Sequence, residues 1–175
     1  MENKRSQPNV AYMFRHACAF VDCAEACERE PNHIKVRTAS HFLADMTNSC
    51  LACEIFIKML LVNKGCLLNK IHGHELYVLW NKYAKVDVGS STAIRDRVNG
   101  IFQSEEDVFS SLLKKVSNYF LVLRYAYERT QPMEIHQHFL RVFREVLRNY
   151  CCKEVYKMSW SEYVANPIMD LVDIL

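Results

Sequence analysis

Residues 38–80 read TASHFLADMTNSCLACEIFIKMLLVNKGCLLNKIHGHELYVLW, and the first part of that stretch decides the fold. Apolar side chains fall at Leu43, Met46, Cys50, Cys53, Ile57, Leu60 and Leu61, a 3–4 spacing that draws one face on an α-helix. Gly65 is the expected C′ residue that ends it. Glu54 breaks the pattern. At about 100° per residue it projects within about 60° of the centre of the apolar face, with Lys58 one turn later at the edge. A carboxylate aimed at a core is costly unless it is paired and hydrogen-bonded. Glu54 therefore calls for a partner from another helix, either as a structural ion pair that fixes register or as part of a functional site.

Upstream, Asn9 is the expected N-cap of a first helix reaching about Arg29, with Tyr12, His16, Ala19, Cys23 and Ala26 at 3–4 spacing. Glu-Pro-Asn at 30–32 stops it. Downstream, His72-Gly73-His74 leads into a short helix ending near Tyr83, residues 85–90 read as a loop, and Ser91 or Thr92 caps a helix to Gly100. Ser104-Glu-Glu-Asp107 resembles a capping box and opens a long helix to about Arg129. Its core stripe is Val108, Leu112, Val116, Tyr119, Phe120, Leu123 and Tyr127, while Leu121, Val122 and Tyr125 make its back apolar as well. A helix apolar all round must be covered, by another segment or by a second subunit.

Pro132 precedes a last long helix, about Met133 to Tyr156, with Ile135, Phe139, Val142, Phe143, Val146, Leu147 and Tyr150 inward. Arg141, Arg144 and Arg148 align on its other side, the spacing of a solvated face or of a row tracking a phosphate backbone. The apolar tail is expected to dock as a short helix after Pro167. With six or so helices and no convincing strand, the chain reads as an all-α bundle forming a single domain over 1–175.

Composition agrees. The chain has 175 residues, half of them hydrophobic, with only 4 Gly and 4 Pro, which favours long helices over turn-rich β structure. A net charge of +2 is too small to imply nucleic-acid binding by itself. No apolar run reaches a membrane span and the first residues lack a signal-peptide core, so a cytoplasmic protein without membrane association is expected. Eight cysteines in a reducing compartment are mainly small core hydrophobes. Cys50-x-x-Cys53 and the pair Cys23 and Cys27 would make a four-thiolate zinc set if their helices packed, but both lie within apolar helical faces. Core packing is the expectation, with no cofactor or metal.

The phrase CEIFIKMLLVNKG followed by GHELYVLW resembles HEPN-type helical domains, in which a long helix carries Glu-x-x-x-Lys, as Glu54 to Lys58 does here. A Gly-His-(Asp/Glu)-Leu segment then opens the next helix, as at Gly73 to Leu76. Arg-Tyr-x-Tyr-Glu at Arg124 to Glu128 extends the likeness, which covers about residues 38–150. The resemblance implies a HEPN-like bundle with two long core helices, a homodimer, and a metal-independent endoribonuclease of toxin or phage-defence type. RNA, and an antitoxin or regulatory protein, would be the partners. The family's catalytic phrase is Arg-x(4–6)-His; Arg129 and His136 have that spacing here, although Pro132 falls between them. His would move protons near neutral pH and Arg would stabilise the phosphorane. The second reading is a non-catalytic HEPN-like module that binds RNA, a nucleotide or a protein.

Several residues carry these readings. Arg124, at the flank of its helix's core stripe, is the first choice as partner of Glu54, with Glu128 one turn away. His74 reads as a cap or core histidine. His136 and His138 point in different directions, which argues against a shared metal. Tyr125 and Tyr127 offer surfaces for base stacking or for packing.

Overall fold

The computed structural model describes residues 8–28, 38–104, 106–128, 130 and 133–166, the side chains of 38–40 excepted. Among them the chain is all-helical, with no strand. Eight α-helices follow in order: α1 (Val10–Glu28), α2 (Thr38–Asn63), α3 (Leu76–Val86), α4 (Val88–Ile101), α5 (Val108–Val116), α6 (Tyr119–Arg124), α7 (Gln137–Tyr156) and α8 (Trp160–Val164). Two 3-10 turns, Leu68–Lys70 and Ala126–Glu128, complete the set. Arg129, Pro132 and the tail expected to dock after Pro167 lie outside the described residues.

The centre of the bundle is α2, which packs against α1, α3, α6 and α7. It is buried well beyond the expected stripe. Met46, Cys50, Cys53, Ile57, Leu60 and Leu61 are fully buried, and so are Ala52, Phe56 and Met59 from its other sides. A helix enclosed in this way buries whatever polar groups it carries. It ends as Gly65 predicts: φ is +85°, the Gly65 amide donates to Val62 O, and the Cys66 amide donates to Leu61 O. These are the two bonds of a Schellman cap, and glycine takes that left-handed backbone at least cost.

The first helix starts where expected, with Asn9 Oδ1 accepting from the amides of Ala11 (2.8 Å) and Tyr12 (3.3 Å). Its buried face is different. Phe14, Ala17, Cys18, Val21 and Ala24 face the core, while Tyr12, His16, Ala19, Cys23 and Ala26 are exposed. Both sets have helical spacing. The buried set holds the bulkier aliphatic and aromatic area, and Phe14 sits among Phe56, Tyr156, Trp160 and Tyr163.

The loop expected at 85–90 is one residue. Asp87 ends α3 and caps α4, accepting from the Ser90 amide at 3.0 Å, so neither Ser91 nor Thr92 is the cap. The long helix expected from 104 to 129 is broken into α5, α6 and a 3-10 turn. Asp107 caps α5 through the Ser110 amide at 3.1 Å. The break at Ser117 has a partner that explains it. Ser117 O accepts from the Leu76 amide and Ser117 Oγ from the Tyr77 amide, each at 3.1 Å. Two orphan donors at the start of α3 are thereby satisfied by a residue forty positions away. With the break, Phe109 and Leu113 join Val116, Tyr119 and Leu123 in the core. Tyr127, expected inside, is 80% exposed. Leu121 and Tyr125 are exposed too and Val122 is half-buried, so the described residues leave most of that back uncovered.

The last long helix begins at Gln137 rather than Met133, and Ile135 is exposed rather than inward. Phe139 and Phe143 join Trp80 and Phe109 in an aromatic core with centroids 4.8–5.9 Å apart. Beyond α7, Ser159 and Glu162 form a complete capping box for α8, which packs on α7.

Candidate functional site

The site is assembled by the two ends of the opening stretch. Glu54 is buried on α2, 4% exposed, and its Oε1 accepts from Lys58 Nζ at 2.7 Å. After Gly65 the chain makes the 3-10 turn, anchors through buried Ile71, and turns at Gly73 with φ +89°. That turn brings His74 back over Glu54. Its Nδ1 lies 3.0 Å from both carboxylate oxygens. The His74 side chain is half exposed, and its ring rests on Phe120 with centroids 5.3 Å apart. Phe120 is placed there by the Ser117 break that also caps α3.

Glu54 therefore has its partners, but they are not the expected one. Arg124 is exposed, with its guanidinium 5.5 Å from the Tyr125 ring centroid, and does not reach Glu54. Nor does it pair with Glu128, which sits exposed in the 3-10 turn. The i,i+4 neighbour Lys58 and the histidine from the next phrase supply the pairing instead. His74 is neither cap nor core: Glu75 holds the N-cap position of α3, without a side-chain bond. With Nδ1 on the carboxylate, Nε2 is the ring nitrogen left without a partner among the described residues. A carboxylate that fixes one imidazole nitrogen orients the other for proton transfer.

Of the expected catalytic pair, Arg129 and His136, the structure describes only the histidine. His136 occupies the N-cap position of α7, its side chain 15% exposed, with Nε2 3.2 Å from Glu134 Oε1. Glu134 also pairs with Lys115 at 3.0 Å, and that bond holds its carboxyl below the usual range. His138 is exposed, its ring 5.1 Å from Phe102.

Arg141, Arg144 and Arg148 do not form a solvated row, since Arg144 and Arg148 are buried and Arg141 is only partly exposed. Arg144 is 2% exposed, and its Nη1 donates to Asp45 Oδ1 at 2.9 Å and Ser49 Oγ at 2.6 Å. Its Nη2 donates to Glu28 at 2.7 Å. Arg141 meets Glu28 at 2.8 Å and Asp45 at 3.5 Å. Arg148 meets Glu25 at 3.0 Å and Glu145, and lies 4.4 Å over the Trp160 ring. Three arginines of α7 are thus engaged by carboxylates of α1, α2 and α7 itself. For Arg141 and Arg144 the cause is the depth of α2: Asp45 is 1% exposed and must be matched. The missed signal was the enclosure of α2 on all sides, which buries Asp45 as surely as Glu54.

Cys50, Cys53 and Cys151 are fully buried and burial pushes their thiols up, as befits inert core residues. Cys23 is exposed and Cys27 partly so, all eight being free thiols. Among the described residues, no group of three or more His, Cys, Asp or Glu side chains is placed to hold a metal ion. No described helix is long and apolar enough to cross a membrane. Comparison with protein-family models, with curated proteins and with solved structures gives no significant match in any of the three.

Proposed function

We propose that the chain is a HEPN-like, metal-independent endoribonuclease in which His74, oriented by Glu54, moves the proton. The observation that carries this reading is the buried carboxylate holding a half-exposed imidazole through Nδ1. Self-cleavage of RNA needs a base near the 2′-hydroxyl and positive charge near the phosphate. His74 Nε2 takes the 2′-hydroxyl proton as the oxygen attacks phosphorus. Lys58, bonded to the same Glu54 oxygen, supplies a cation, and the departing 5′ oxygen takes a proton from water. This departs from the Arg129–His136 assignment in the residue named, not in the chemistry. The homodimer, and an antitoxin or regulatory partner, belong to the same proposal.

The test is cleavage of end-labelled RNA in EDTA by wild type, His74→Ala and His136→Ala. Loss of a positioned general base costs about 10²–10⁴ in rate. His74→Ala should lose that much and His136→Ala should not; equal activity in wild type and His74→Ala discards the assignment. A second reading, a non-catalytic module that binds a protein or RNA, draws on the exposed Leu121, Tyr125 and Tyr127. It gains if no preparation cuts RNA while the protein stays folded.

A further inference from the structure

We propose that Arg124, Tyr125 and Tyr127 form a platform on which single-stranded RNA lies beside His74; this rests on the ribonuclease reading and names the form of its substrate. The rings are available: Tyr125 is 44% and Tyr127 80% exposed, with centroids 6.5 Å apart. Arg124 lies 5.5 Å from the Tyr125 centroid, which joins a planar cation to a stacking surface. Aromatic faces with a flanking cation bind unpaired bases without regard to sequence. A paired helix hides its base faces and offers no such contact.

The platform is continuous with the site. Phe120 touches His74, and Arg124 follows it one turn along α6, about 6 Å down the axis. A strand stacked on the tyrosines therefore passes Arg124 before it reaches the imidazole. A further cation flanks the same histidine: Lys58, through their shared Glu54. Glu75 and Glu128 are the exposed carboxylates beside these groups in the chain. Lysine is depleted at the centre of protein interfaces, whereas arginine and tyrosine are not; rings bordered by Arg124 with Lys58 at the adjoining site suit a polyanion better.

The experiment is fluorescence anisotropy with a labelled 2′-O-methyl oligouridine, which lacks the attacking hydroxyl and cannot be cut. Wild type, Y125A/Y127A, Y125F/Y127F and R124Q are compared at two salt concentrations. Losing both stacking surfaces should weaken binding at least tenfold, while the phenylalanine pair binds as wild type because the ring and not the hydroxyl is used. R124Q should bind more weakly with a shallower salt dependence. Equal affinity of Y125A/Y127A and wild type overturns the platform even if His74 proves catalytic. So does a wild type that binds no oligouridine, or tyrosine substitutions that abolish self-association while RNA binding persists. Tyrosine-dependent binding by a protein that never cuts RNA supports the platform and removes the catalytic reading.

Discussion

Two carboxylates on one helix have opposite fates. Asp45 and Glu54 are both at most 4% exposed on α2, and at about 100° per residue they lie about 180° apart around its axis. Asp45 faces α7, whose Arg144, Arg141 and Gln137 reach it, together with Ser49 one turn along its own helix. Glu54 faces α3 and α6, and one of its two partners is a histidine open to solvent. A buried charge held by the buried Arg144 and Ser49 fixes how helices pack. A buried charge that holds an exposed imidazole fixes a reactive group at the surface.

The largest effect should come from the closed cluster. Arg144→Ala leaves Asp45, Ser49 and Glu28 facing a gap at the junction of three helices. Breaking one side of such a pair costs about 3–5 kcal/mol, read as a lowered urea midpoint with an unchanged slope. A loss below about 1 kcal/mol would place this pair with surface bridges and erase the contrast with Glu54.

The open cluster should reverse the balance between stability and activity. His74→Ala removes a half-exposed ring, so its stability cost should stay under about 1 kcal/mol, while RNA cleavage falls as stated above. Glu54→Gln keeps hydrogen-bonding atoms but loses the charge that Lys58 and His74 meet; it should cost about 1–2 kcal/mol and also lower cleavage. If His74→Ala destabilised as strongly as Arg144→Ala, the cluster would be a structural clasp and the comparison would fail.

The turn that delivers the histidine gives a smaller and separable effect. Gly73 has φ +89° and open space where a Cβ would stand, so Gly73→Ala meets backbone strain rather than a clash. The expected cost is about 1 kcal/mol, measured by thermal unfolding, with cleavage reduced more than stability because His74 is displaced from Glu54. Full activity in Gly73→Ala would show that the turn does not aim the ring.

Much of this arrangement could be read from residue order. The 3–4 spacing located α2, Gly65 located its end, and Glu54 announced a buried carboxylate in need of a partner. Which partner answered could not be read, because helical flank geometry offers Arg124 as readily as any cation. Choosing between them depends on the Gly73 turn and on the break at Ser117. That break is itself set by two unpaired amides of α3, donors that no local pattern around residue 117 displays. The arginine row on α7 misled for a related reason. Its spacing is that of a solvated face, but the facing helices turn it inward, Arg141 and Arg144 to Asp45 of α2 and Arg148 to Glu25 of α1. Spacing shows which residues share a face, whereas the facing helix decides what that face means.

A third carboxylate, outside both clusters, tests the weakest end of the comparison. Asp87 caps α4 and pairs with Lys64 at 2.8 Å, and its side chain is 17% exposed. The Lys64 hydrogen bond first, then the Ser90 amide, hold its carboxyl at about 2, below the ordinary 3.8. A carboxyl lowered on folding stabilises the native state above its unfolded pKa, and the contribution disappears as pH falls through the folded value. The gain at neutral pH is therefore about 1–2 kcal/mol and is lost between about pH 4 and pH 2. Asp87→Asn keeps the capping oxygen but not the charge. The difference in melting temperature between wild type and Asp87→Asn should thus be constant from pH 7 to about 5 and shrink toward zero near pH 2. Other carboxylates titrate in both proteins and cancel in that difference. The absence of a gap even at pH 7 would mean that the cap alone, and not the charge on Asp87, joins α3 to α4.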